Sequence, residues 1–308
     1  MKLVVTGGRG YIGSRVVNKL LRSGHEIIIL DNLSTSVELE QNSCEFFEAD
    51  ITDYESLSEI KIKDVDAILH LAAQSSGPRS IEIPDIDINI NITGTLNIIK
   101  WCSLNNIPRI LFASSFVVYG DHDLNSALNE QAECKPKSIY ALSKRYAERL
   151  FDIYAEHHQI SWNVLRQFNV YGPGQDLSRT DQGMVSIFMK IIMNEESVKV
   201  QGSLDRYRDF IHIDDVVSGW ELCLEKGLPN HVYNLGSGQK TTLRDLIEAI
   251  KIAMKKNIPV HEVGSTPGDI MGCYANIDKI RNHLGFNPKF DINKGVLDMA
   301  TWVLESES

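Results

Sequence analysis

The chain predicts an α/β fold, a doubly wound parallel sheet with a smaller C-terminal α/β unit. Three observations carry this. Short apolar runs without polar alternation recur through the first half, amphipathic stretches separate them, and a glycine-rich turn joins the first run to the first amphipathic stretch. Strands that are apolar on both faces and separated by helical patterns belong to a parallel sheet covered on both sides.

The elements follow in order. Residues 2–6, 26–30, 45–48, 66–71 and 109–114 read as strands, with helices near 11–24, 54–61 and 88–106. A helix over 139–158 and a strand over 161–167 follow. Beyond the Gly- and polar-rich stretch after Phe168 the rhythm loosens. Helices are expected near 183–194, 214–226, 242–255, 277–284 and 292–304, and strands near 198–201, 208–213 and 259–262. The expected division is residues 1–168 and 169–308, with segment 208–235 a candidate to return to the first unit.

A chain of 308 residues can bury a large core in one or two domains. Its formal net charge of −10 disfavours nucleic acid as a partner. The five cysteines (Cys44, Cys102, Cys134, Cys223, Cys273) have no zinc-type spacing and form an odd set. That predicts no metal and no disulfide framework, and suits a cytoplasmic location. No apolar run is long enough for a membrane span, and MKLVVTGG enters a strand at once rather than a leader.

Gly7, Gly10 and Gly13 form G-x-x-G-x-x-G between the first strand and first helix. Glycines there allow a tight turn and close approach of backbone to a pyrophosphate, which the helix N-terminus favours. Asp31 ends the second strand 18 residues after Gly13, where a carboxylate accepts bonds from a ribose and repels a 2′-phosphate. The unit therefore reads as Rossmann-type, with NAD as cofactor. Asp50 either reaches the adenine or caps the helix at 54.

Tyr140 and Lys144 are four apart on a helix and share a face. An ammonium near a phenol lowers its pKa and makes it a general base, although this spacing is also common on plain amphipathic helices.

With these motifs the chain resembles the extended short-chain dehydrogenase/reductase family, in its sugar-nucleotide epimerase/dehydratase branch. The resemblance runs through TGGRGYIG, DNLS, HLAAQ, NITGT, SSFVVYG, YALSK, RQFNVYGPGQ, RDFIHIDD, YNLGSG and PGDI. It implies Tyr140 as base, Lys144 as its partner and Ser115 as the hydroxyl that bonds the sugar 4-hydroxyl. It implies cofactor contacts at Gly7, Gly10, Tyr11, Ile12, Gly13, Asp31, Asn32, Asp50, Ile51, Leu71, Ala72, Ala73 and Asn91, as well as Tyr140 and Lys144. Asn91 is alternatively a satisfied buried amide. It also implies that Asn169 and Arg208 contact the substrate pyrophosphate, for which an arginine fork is suited. The alternative for Arg208 is an ion pair with Asp209 or Asp214.

Departures from the branch narrow the reaction. Its dehydratases carry Asp-Glu after the active-site hydroxyl, whereas Phe116 and Val117 stand here and cannot transfer protons. The expected activity is thus 4-epimerisation of a nucleotide sugar, with UDP-sugars favoured over GDP-sugars. Gln201 stands where an aromatic residue usually flanks the base, and Thr266 where an arginine grips the diphosphate, with Arg206 as a replacement. Cys273, a small residue, leaves room for an N-acetyl group. The helices near 88–106 and 139–156 match those of a homodimer interface in the family. The other readings are a 4-dehydrogenase or ketoreductase, and a non-catalytic nucleotide-binding scaffold.

Overall fold

The computed structural model describes residues 1–36, 44–122, 126–181, 183–264 and 271–306. Strands β1 (Lys2–Thr6) and β2 (Glu26–Asp31) show why the sheet is covered on both sides. Leu3, Val5, Ile27 and Ile29 join one apolar cluster, while Val4, Ile28 and Leu30 join another across the sheet. Successive side chains of a strand point to opposite faces, so an unalternated apolar run requires both to be dry. β3 (Glu45–Glu48), β4 (Ala67–His70), β5 (Arg109–Ser115) and β6 (Ser161–Gln167) continue the same layer.

Helix α1 (Tyr11–Arg22) buries Val16, Val17 and Leu20 and places Lys19 and Arg22 in its last turn, where the helix dipole favours cations. α2 (Tyr54–Glu59) is capped by Asp53, whose side chain accepts from Ser56 N. α3 (Gly77–Glu82) and α4 (Pro84–Ile88) are short, and each starts with a proline in its first turn. Residues 89–94 form a π-helical turn before α5 (Thr95–Leu104). The expected helix near 88–106 thus starts earlier and is interrupted. Thr95 Oγ1 donates back to Asn91 O at 2.7 Å, which loosens the local ladder. α6 (Ile139–Leu150) likewise passes into a π-helical turn at 151–155.

The second half contributes β7 (Asn169–Tyr171), α7 (Met184–Asn194), β8 (Val198–Gln201), β9 (Tyr207–Arg208), β10 (Phe210–His212) and α8 (Ile213–Lys226). After them come β11 (His231–Leu235), β12 (Thr241–Thr242), α9 (Leu243–Ala253), β13 (Val260–Val263), α10 (Asp278–Leu284) and α11 (Ile292–Ser306). The strand expected over 208–213 is broken at Asp209, because β9 pairs with β12 and β10 with β7.

The main sheet has the order β11-β6-β5-β4-β1-β2-β3 and every pairing in it is parallel. Its last strand comes from the second half, and α8 packs beside α1 through Val216, Trp220 and Cys223. A third apolar cluster unites Val185, Met189 and Ile192 of α7 with Leu246 and Ile250 of α9 and Met299 of α11. It is the core of the smaller unit. The predicted two-part α/β architecture is therefore observed. Among the described residues no helix is long and apolar enough to cross a membrane.

Candidate active site

The candidate residues gather at the carboxyl ends of β1, β2, β4 and β5, where open parallel sheets place their ligands. At the end of β1 the turn needs its glycines. Gly7 has φ +68°, and a Cβ there would lie 2.6 Å from Ala72 N. At Gly13 a Cβ would lie 2.0 Å from Gly7 O. No side chain caps α1 at Gly10 and its first turn holds no acid. Among the described residues the first-turn amides of Tyr11, Ile12 and Gly13 therefore have no capping side chain, a donor set suited to a pyrophosphate.

Asp31 is buried and accepts from Arg9 N and Leu33 N, both at 2.8 Å, which ties the glycine turn to the end of β2. Asp50 does not cap α2, since Asp53 does. Asp50 instead accepts from Thr52 N, Thr52 Oγ1 and Asn32 Nδ2 at 2.8, 2.7 and 3.0 Å. Partial burial raises its pKa, but these three bonds outweigh it and hold the carboxyl below its ordinary value. Ile51 is buried against Gly94, and Leu71, Ala72 and Ala73 follow β4 beside the glycine turn.

Ser138 caps α6 by accepting from Ala141 N at 3.1 Å, and Ser80 Oγ accepts from Tyr140 N at 3.0 Å. Tyr140 is thereby fixed in the first turn, where its phenol hydrogen-bonds Ser115 at the end of β5. Burial pushes the phenol up to about 12; the Ser115 bond pulls it down and the Asp87 charge pushes it further up. Lys144 is almost wholly buried, and burial pulls its ammonium down to about 8 against the charges of Asp87 and Glu148. Its Nζ donates to Ala113 O at 3.0 Å and lies 4.8 Å from the Phe112 ring centroid. This differs from the expectation that Lys144 lowers the phenol directly. A buried ammonium needs an acceptor, and the β5 carbonyl of Ala113 supplies one.

Asn91 is fully buried and accepts from Gln74 N at 3.1 Å. Its amide nitrogen faces Gln74 O, Asp87 Oδ2 and Ser143 Oγ at 3.0 to 3.2 Å. These bonds clamp the segment after β4 onto α6. Sequence reasoning missed the groups beneath this clamp. His70 bridges Thr6 Oγ1 at 2.7 Å and Thr95 Oγ1 at 3.1 Å, and burial together with the Lys144 charge holds it down to about 3. Glu148, one turn past Lys144, accepts from Ser114 Oγ at 2.6 Å and from Arg166 Nε and Nη2 at 2.9 and 2.8 Å. The i+4 spacing from Lys144 was the available signal for Glu148.

The substrate candidates lie on the second unit. Asn169 N and Nδ2 both donate to Asp209 O, at 3.0 and 2.9 Å. Arg208 is buried and donates to Tyr207 O at 2.8 Å. The Asp209 carboxylate is engaged elsewhere, by Ser237 N and Oγ, Gly238 N and Ala275 N. Cys273 is buried close enough to Arg208 to feel its charge, although burial dominates and pushes the thiol up to about 12. Gln201 is exposed at the end of β8, and its carbonyl accepts from Arg206. Thr266 and the PGDI segment lie outside the described residues.

Side chains of α1 reach the second half at residues 172–173. Tyr11 OH donates to Gly172 O at 3.0 Å and Arg15 donates to Pro173 O at 3.1 Å. Phe116 stacks on Phe168 with centroids 5.2 Å apart, so an apolar wall follows Ser115.

The chain as a whole is similar to known proteins. A putative UDP-glucose 4-epimerase of Methanocaldococcus jannaschii is 33% identical over 312 residues, covering 98% of both chains. The solved UDP-glucose 4-epimerase of Thermotoga maritima with UDP-glucose superimposes with a TM-score of 0.94 at 30% identity, covering all of both chains. The UDP-N-acetylglucosamine 4-epimerase of Methanobrevibacter ruminantium M1, in complex with UDP-N-acetylmuramic acid, gives 0.92 at 30% identity over 99% of this chain and 98% of that one. A family model matches residues 3–236, and with the glycine turn and the α6 tyrosine–lysine pair inside that span, the chain belongs to the NAD dependent epimerase/dehydratase family.

Proposed function

We propose that the protein is an NAD-dependent nucleotide-sugar 4-epimerase acting on a UDP-hexose or UDP-N-acetylhexosamine. The observation that carries this lies where α6 meets β5: the Tyr140 phenol bonds Ser115 and Lys144 reaches the Ala113 carbonyl of the same strand, while Phe116 and Val117 follow Ser115. Hydroxyl, phenol and ammonium can manage a proton at one sugar oxygen. Two apolar side chains cannot take a proton from a neighbouring carbon or expel a hydroxyl, so elimination lacks its acids and bases.

The glycine turn, the uncapped α1 N-terminus and Asp31 fit a dinucleotide. NAD, when bound, supplies a hydride acceptor and donor for C4 and a fixed positive charge. Ser115 orients the 4-hydroxyl, and Tyr140 receives its proton and later returns it. In the free protein the phenol is neutral at pH 7, and its tuning towards the base form depends on added positive charge. Asn169 and Arg208 are assigned to the diphosphate, and the small, buried Cys273 supports acceptance of an N-acetyl group.

A homodimer through α4–α5 and α6 belongs to the same reading. Leu142, Tyr146 and Ile153 are exposed on α6 and its extension, with Ile88 and Leu104 exposed on α4 and α5, and exposed apolar side chains on these helices support a protein interface.

The test is incubation with UDP-glucose, UDP-N-acetylglucosamine and a GDP-hexose, followed by NMR of the anomeric and H4 signals. Inversion at C4 without net consumption of NAD is expected. Stoichiometric reduction of added NAD would instead indicate a dehydrogenase, and no reaction with any of them would overturn the assignment.

A further inference from the structure

Asp87, on α4, is a fully buried carboxylate that the catalytic assignments leave without a role. Its Oδ2 accepts from Gln74 Nε2 at 2.8 Å and from Asn91 Nδ2 at 3.2 Å. Its Oδ1 is also buried and has no hydrogen-bond partner among the described residues. Asn91 in turn reaches Ser143, the residue before Lys144. A buried carboxylate with one unpaired oxygen is costly unless a positive charge stands near it.

We propose that Asp87 is the buried counter-charge of Lys144 and, through it, a positioning residue for the Tyr140–Ser115 pair. The assignment rests on the epimerase reading given above.

The neighbouring titratable groups agree with it. On α6 these are Tyr140, Lys144 and Glu148, of which Glu148 is bound to Arg166 and Arg145. On α3 they are Arg79 and Glu82, both exposed to solvent, and on α4 itself the exposed Asp85. His70 lies at the end of β4 and is held neutral by burial. Lys144 is the buried cation of this group, and Asp87 is the largest influence favouring its charged form. The same negative charge disfavours the phenolate of Tyr140. Asp87 therefore holds both groups protonated together, and removing its charge should release both at lower pH.

Asp87→Asn is close to isosteric. The amide oxygen can keep the bonds from Gln74 and Asn91, while the amide nitrogen replaces the unpaired oxygen. The direct readout is the titration of Lys144 in full-length protein labelled with ¹³C at the lysine ε-carbons, the signal being assigned with Lys144→Arg. The Asn variant is expected to lower the Lys144 midpoint by about 1 pH unit, the scale of a nearby buried charge. Both limbs of the pH profile of kcat/KM should move towards acid, with KM changed less than about 3-fold, as for a group that leaves substrate binding intact. Asp87→Glu should restore the midpoint. Should the Asn variant not fold, Asp87→Ser removes the charge with less bulk and gives the same readout.

An unmoved Lys144 midpoint would overturn the counter-charge, and a moved midpoint with unmoved pH limbs would overturn the positioning role. A moved midpoint in a protein that inverts no nucleotide sugar would support the counter-charge and reject the epimerase reading instead.

Discussion

The Tyr140 phenol stands in the first turn of α6 against Ser115, and burial pushes its pKa up to about 12. Phenylalanine at this position keeps the ring and removes the proton carrier. Tyr140→Phe should lower kcat by about 100-fold or more, the usual contribution of a general acid or base, with a stability loss of about 1 kcal/mol for the Ser115 bond. His70 offers a different reading at the same scale. Its folded pKa is depressed from 6.5 to about 3 by burial and by Lys144. Below pH 6.5 the unfolded chain takes up a proton that the folded chain refuses, so stability is full above that pH and falls as pH drops towards 3. From pH 7 to pH 5 this removes about 2 kcal/mol. His70→Gln should flatten that part of the stability–pH curve, measured by urea unfolding. Tyr140 and Lys144 were legible through the family resemblance, since their spacing alone is common on amphipathic helices. His70 and Asp87 were not, because nothing in the local sequence distinguishes a buried titratable side chain from a solvated one.

Helix α6 carries Tyr140 and Lys144, the proposed reactive pair, and its register depends on its first turn. Ser138 caps it through Ala141 N, and Ser80 from α3 holds Tyr140 N. Ser138→Ala should cost about 1 kcal/mol of stability and should also lower kcat more than it changes KM, since the cap fixes Tyr140 rather than the substrate. Calorimetry with steady-state kinetics checks both. Strand positions were readable because unalternated apolar runs have few alternatives. Helix continuity near 88–106 was not, because the π-helical turn at 89–94 and the early start at Pro84 arise from packing on α6 and from the Thr95 back-bond. Asp50 and Asp53 show the same limit: either can cap α2 by sequence position, and only backbone geometry selects Asp53.

At the scale of the whole molecule, the glycine turn and the second unit are tied together at Gly172 and Pro173 by Tyr11 and Arg15. Tyr11→Phe should weaken this link by about 1 kcal/mol, the net value of one hydrogen bond. The expected result is a rise in KM for the nucleotide sugar of about 5-fold, with NAD content unchanged; an altered NAD content would place the effect in the glycine turn alone. Residue type at short spacing was enough for the parallel sheet and the glycine turn, while the tyrosine–lysine pair and the apolar residues after Ser115 took their meaning from the family resemblance. Tertiary structure decided what stands around them. It brought β11 beside β6, put the charges of Asp87 and Glu148 within influence of Lys144, and turned the ammonium towards Ala113 O. These are long-range contacts whose electrostatic consequences depend on burial and distance, and neither is encoded in local spacing.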